Sequence, residues 1–270
     1  MIEGREIVID LGQPVDLSLP LDFAGPQARH FGAPRASSRP FAVEGFRGSV
    51  EQGASCNCEV LTLIPHCNGT HTECAGHLTR EPLDAWRLVP AGPLPALLLS
   101  VSPEAPSGEG TEPAPQPGDR LITARALERA WPRSLPFAPQ AVVIRTLPNT
   151  PEKRTRDYTG ATPPYLSREA AALLVGRGVL HLVVDVPSID RAHDEGRLTA
   201  HRQFFGLPRG SAQLAAATRA AATITELAFV PEQILDGACL LELQVPALGG
   251  DAVPSRPLLY PLHPPTERAA

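Results

Sequence analysis

The chain has 270 residues, 43% of them hydrophobic, with a formal net charge of −5 and a pI near 5.9. That is enough chain for one sizeable α/β domain with a full core, and residues 1–270 are treated as a single unit. Basic residues are scattered rather than gathered into a stripe, which argues against nucleic acid as a partner. No apolar run reaches the roughly 18 to 20 residues that cross a bilayer, and MIEGREIVID lacks the basic-then-apolar pattern of a signal peptide. A cytoplasmic protein acting on a small molecule, with no membrane partner, is the expectation.

In chain order, residues 6–11 (EIVIDL), 60–64, 97–101, 141–147 (AVVIRTL) and 180–186 are short aliphatic, β-branched runs bounded by Gly, Pro or polar residues, and they predict buried strands. Cys56 and Cys58 alternate along an extended segment and read as small core residues. A C-x-C with no second pair is weak grounds for a metal. Cys67, Cys74 and Cys239 bring the cysteines to five, odd in number and mostly clustered, so reduced thiols are expected. Residues 103–117 (PEAPSGEGTEPAPQP) show no apolar periodicity and predict a solvated surface insertion.

Helical spacing appears at 123–131 and at 167–175, the latter with Ser167 as N-cap, Glu169 in the first turn, and Gly176 and Gly178 at its end. A third helix is expected over the alanine-rich 211–223, although its leucine and threonine positions give only a weak apolar face. Residues 238–245 and 257–262 again predict strands. The resulting class is α/β, a β-rich core flanked by helices.

The chemistry concentrates in residues 65–77, PHCNGTHTECAGH, which hold three histidines, two cysteines and a glutamate directly after an apolar run. Imidazole and carboxylate are the donors that zinc and manganese take, and a carboxylate can bridge two ions, so His66, His71 and Glu73 are candidate ligands for one or two divalent ions. Gly69 permits a tight turn between ligands, and the Thr70 hydroxyl can bind a loop amide or a ligand carboxylate. HTE shares letters with the H-x-E of zinc deaminases, but no P-C-x-x-C follows, and no H-E-x-x-H occurs. A lone histidine is more often a satisfied core residue than a ligand; three with a glutamate at this density are not lone.

These residues resemble the cyclase family that includes bacterial kynurenine formamidase and isatin hydrolase, whose signature is H-x-G-T-H-x-D-x-P-x-H. Gly69, Thr70, His71 and His77 match it in register, Glu73 replaces its aspartate and Ala75 its proline, and its first histidine falls on Cys67, with His66 adjacent. The resemblance implies that His71 and Glu73 bind metal and that His77 is the catalytic acid and base. The first ligand is His66, or alternatively Cys67.

Residues 163–190 (PPYLSREAAALLVGRGVLHLVVDVPSID) resemble the family's helix and D-x-P-S-x-D strand end, and GGDAVPSRPLLYPL its closing segment. By resemblance His201 and Glu226 complete the metal set, with the 211–223 stretch as an inserted helix between them. Asp185, Ser188, Asp190 and Arg145 are candidates for the pocket, with turn capping or surface pairing as the alternative reading. His193 and Asp194 read as solvated loop residues.

The implied activity is hydrolysis of an amide or lactam C–N bond outside peptides, of the kind met in tryptophan catabolism, by a cytoplasmic homodimer or larger homo-oligomer. The alternatives are another reaction on the same scaffold, such as dehydration or ester hydrolysis, or a metal-binding scaffold without catalysis.

Overall fold

The structure is a computed structural model and describes residues 9–262. Its frame is a curled nine-stranded mixed sheet. In chain order the strands are β1 (Val15–Asp16), β2 (His71–Cys74), β3 (Leu94–Val101), β4 (Ala141–Thr146), β5 (His181–Val184), β6 (Thr223–Glu226), β7 (Gly237–Gln244), β8 (Ala252–Pro254) and β9 (Arg256–Pro261). Their spatial order is β1-β9-β7-β3-β4-β5-β6-β2-β8. The centre, β3-β4-β5-β6, is parallel, and both flanks are antiparallel.

Central strands of this kind are covered on both faces, which is why they read as unbroken apolar runs. Leu97, Leu99, Val142, Ile144, Leu182 and Val184 pack on one side with Leu127, Leu174, Phe204 and Phe205 from the helices. Leu98, Ala141, Val143 and Val183 alternate with them and pack on the other side with Leu17, Leu241 and Leu259, where the sheet curls over.

The helices are α1 (Ala124–Ala130), α2 (Arg168–Gly176) and α3 (Thr199–Phe205). The first two match expectation, capped by Thr123 and Ser167, whose hydroxyls accept from Ala126 N and Ala170 N at 3.0 and 2.9 Å.

Several expectations are corrected. Residues 211–223 are not a helix: a single 3-10 turn, Leu214–Ala216, stands there, and Thr223 already belongs to β6. Alanine supplies propensity, but Leu214 is the one large apolar side chain of the stretch, so a helix would have almost no face to bury. The helix lies earlier, as α3, where Phe204 and Phe205 are fully buried.

Residues 60–64 contribute to Glu59–Thr62, which pairs only with Ser37–Pro40 and is largely exposed. Cys56 and Cys58 precede that strand and are exposed rather than core. The 6–11 expectation lies mostly outside the described residues, and positions 9–11 form no strand.

The 103–117 segment is irregular, as expected, but it is tied down. Glu109 accepts from Ala124 N and Ser167 Oγ, both at 2.6 Å, and Thr199 Oγ1 donates to Glu112 O at 3.1 Å. Asp194 is buried and accepts from Gly196 N and Leu198 N at 2.9 and 2.5 Å, whereas His193 is exposed as expected. No helix among the described residues is long and apolar enough to cross a membrane.

Candidate metal centre

Strand alternation builds the site. His71 and Glu73 stand two apart on β2 and share a face; Glu226 lies directly opposite His71 in the antiparallel β2–β6 register, and Ile224 opposite Glu73. On the other face the Thr72 and Thr225 hydroxyls bond at 2.7 Å and lock the register. Gly69 turns the chain into β2 at φ +75, in the left-handed region. Thr70 Oγ1 accepts from Leu19 N at 2.8 Å and donates to Leu227 O at 2.5 Å, so it fixes the chain next to Glu226 rather than facing the cluster. α3 supplies His201 from a third direction.

The donors converge. His201 Nε2 lies 2.8 Å from Glu73 Oε1 and 3.6 Å from Glu226 Oε1; His71 Nε2 lies 3.5 Å from Glu226 Oε2. His66 Nδ1 is 2.9 Å from Glu73 Oε2. The His77 and His66 rings stack at 4.2 Å between centroids, and His77 stands 5.7 Å from the His201 ring. Cys67 is half-buried, its thiol pushed up by burial and by the Glu226 carboxylate, and it belongs to none of the groups whose ligand atoms converge. The expected set of His66, His71, Glu73, His77, His201 and Glu226 is therefore brought together, with Cys67 at its margin.

Two further carboxylates complete the arrangement. Asp190, a candidate for the pocket or a turn, has an Oδ2 that accepts from His201 Nδ1 at 2.7 Å and from His201 N at 3.0 Å, which aims Nε2 at the cluster. Asp251 is the residue that sequence reasoning missed. Its Oδ2 lies 2.7 Å from His66 Nε2 and 3.3 Å from His77 Nδ1. Gly76 makes room for it: a Cβ there would stand 2.9 Å from Leu83 O and 3.1 Å from Asp251 Cβ. Asp251 stands in the G-G-D immediately before β8, within the segment that resembles the family's closing one, and no local feature there marks it as a partner of His66.

The remaining pocket candidates are elsewhere. Arg145 binds Ser100 Oγ, Pro231 O and Asp236 at 2.7, 2.8 and 2.9 Å. Asp185 is committed to Lys153 and Thr146. Ser188 Oγ accepts from Asp190 N at 3.2 Å, behind the residue that orients His201.

The electrostatics are those of a site shaped for positive charge. Burial opposes ionisation of Glu73, yet His201 and the neighbouring imidazoles hold its carboxyl well below the usual range. His201 is driven up by Glu73 and Asp190 against its burial, and His66 rises to about 10 because hydrogen bonds to Asp251 and Glu73 outweigh desolvation. In this arrangement protons do the work of a cation between carboxylates. His71 Nε2 is buried without a hydrogen bond, a deficit that a bound ion removes. Three overlapping groups have one ligand atom each within 4.8 Å: His66, His71 and Glu73; Glu73, His77 and His201; His66, His77 and Asp251. The residues fit a divalent metal.

A curled mixed sheet carrying this cluster is the fold of the cyclase family. Residues 9–191 match the family model described as "Putative cyclase", and the chain belongs to the cyclase family. Solved structures agree at the level of fold. A predicted metal-dependent hydrolase from Bacillus stearothermophilus is 17% identical with TM-score 0.55, covering 92% of this chain and 98% of its own. Isatin hydrolase A from Ralstonia solanacearum is 16% identical with TM-score 0.58, covering 92% and 91%. An isatin hydrolase bound to the product analogue thioisatinate is 14% identical with TM-score 0.58, covering 93% of each. No curated protein matches the sequence.

Proposed function

We propose that this chain is a metal-dependent hydrolase that opens an amide or lactam C–N bond, of the aryl formamide or isatin type. The observation that carries the reading is the convergence of His71, Glu73, His201 and Glu226 with the buried His71 Nε2 left without a hydrogen bond. His71, Glu73, His201 and Glu226 would hold the ion or ions, with His66 as a further ligand. Cys67 is the alternative to His66, but His66 is the one that faces Glu73. A divalent cation held there, zinc or manganese, supplies Lewis acidity toward a substrate carbonyl and lowers the pKa of water.

The chain's own residues do the rest. Asp190 keeps His201 in the tautomer that points Nε2 inward. His77 is part-exposed, at 29%, and Asp251 engages its Nδ1, which leaves Nε2 to exchange a proton with substrate. An amide nitrogen leaves poorly unless protonated as it departs, and an imidazole within hydrogen-bond reach is the fitting acid.

The test begins with elemental analysis of protein purified without added metal. Wild type is expected to carry stoichiometric zinc or manganese, and His71→Ala to lose both metal and hydrolysis of N-formylkynurenine or isatin. His77→Ala should keep its metal while kcat falls by about 10²–10⁴. A metal-loaded His77→Ala enzyme of unchanged rate removes the acid–base role, and a metal-loaded wild type that hydrolyses no amide or lactam removes the reaction class.

A further inference from the structure

We infer that His30 positions the substrate, its ring meeting the carbonyl oxygen of a neutral aromatic amide or lactam that lies between Phe31 and Tyr158 beside the metal centre. This rests on the hydrolase reading above and names the part of the molecule that would recognise the substrate.

The first observation is an unmet need. His30 is 1% exposed, and neither ring nitrogen has a hydrogen-bond partner among the described residues. Its backbone, by contrast, is satisfied: His30 N donates to Cys67 O at 3.1 Å, and Ala33 N donates to His30 O at 3.0 Å. A buried imidazole with nothing to bind is costlier than an apolar ring of similar shape. Its polar atoms make sense if a partner arrives.

The second observation is where that partner would lie. His30 lines a cleft with Phe31, Tyr158, Thr159, Ala161 and His193. Phe31 is 56% exposed and sits at φ 55, the left-handed region that bulky residues avoid. Its ring lies 4.1 Å from that of His30, and Tyr158 stands edge-on to His30 at 6.5 Å. An aromatic ring held strained and open to solvent at the mouth of a cleft is a stacking surface without its guest.

The third is connection to the centre. Arg29 bridges to Asn68 and to Asp157, stitching the 29–30 segment to the loop that leads into His71. Tyr158 packs in one cluster with Leu227, the residue after Glu226. His30 N donates to Cys67 O at 3.1 Å, in the loop that leads through Gly69 into His71. The cleft lining contains no lysine, arginine or carboxylate, so it suits an uncharged amide better than a carboxylate anion.

The experiment uses oxindole, an aromatic lactam without the reactive ketone of isatin, titrated into the full-length metal-loaded protein labelled with 15N-histidine. Oxindole is expected to bind and to shift the His30 ring nitrogens. His30→Ala should weaken binding at least tenfold with metal content and melting temperature unchanged, and His30→Gln, which keeps a donor, should recover part of it. Phe31→Ala should weaken binding severalfold. Failure of oxindole to bind wild type, equal binding to His30→Ala, or binding that leaves the His30 nitrogens unmoved overturns the assignment. Failure of the hydrolase reading shows separately, as metal-loaded wild type without turnover, because the binding assay needs none.

Discussion

Two buried charged clusters in this chain are built on opposite principles. At Lys153 and Asp185 every polar atom has its answer within the protein: Lys153 Nζ donates to Thr146 O at 2.6 Å, Thr146 Oγ1 at 2.8 Å and Asp185 Oδ2 at 2.8 Å, and Asp185 also accepts from Thr146 N and Oγ1 at 2.8 and 2.9 Å. Around Glu73, carboxylates and imidazoles crowd together and still leave the buried His71 Nε2 without a hydrogen bond. Buried charge that closes on itself is architecture; buried ligand atoms that converge on an unmet need are a binding site. Burial alone does not separate the two clusters, since His71, Glu73, His201 and Glu226 are as enclosed as Lys153 and Asp185.

The sharpest way to break that contrast is to remove Lys153. Lys153→Met leaves Asp185 buried without its counter-charge and should cost about 3–5 kcal/mol of stability, a fall of roughly 10 °C in melting temperature, while metal content stays at the wild-type value. Thermal melts with parallel elemental analysis decide it. Loss of metal in Lys153→Met would merge the two clusters into one functional unit.

Asp190→Asn probes the join between architecture and site. The amide keeps the shape but no longer favours the His201 tautomer with Nε2 facing Glu73. Metal affinity should fall about 10- to 100-fold, near 1.4–2.7 kcal/mol. Competition with a metal-binding dye measures it, and an unchanged affinity would reduce Asp190 to a helix cap.

The sequence was most legible where one rule governs. The apolar runs of β3 and β4 and the Ser167 cap follow from local chemistry and stand in the structure, whereas the strand that carries His71 and Glu73 is not legible in the 65–77 segment. What escaped depends on distance along the chain. Asp251 meets His66 across 185 residues, and nothing local in G-G-D announces that encounter. The 211–223 stretch misled because alanine propensity was present and an apolar face was not. His30 carried no signal at all, since its oddity is the absence of a partner, which exists only once the chain is folded.

The smallest effect tests the rule at a group that is buried, polar and singly satisfied. His181 on β5 has Nδ1 2.9 Å from Thr223 Oγ1, and burial pushes its pKa down to about 4 from an ordinary 6.5. The folded pKa lies below the unfolded one. Between pH 6.5 and 4 the unfolded chain therefore takes up a proton that the folded chain refuses, and stability falls as pH falls through that window. His181→Gln keeps a neutral side chain at every pH, so its acid loss should be smaller than that of wild type by about 2 kcal/mol at pH 4.5. Urea midpoints of metal-free protein at pH 7 and 4.5 read the difference, with the titrations of the Glu73 cluster common to both proteins and so cancelling. Equal acid losses in the two would mean that the protein opens around His181 and hydrates it, placing the site among groups that water, rather than the fold, satisfies.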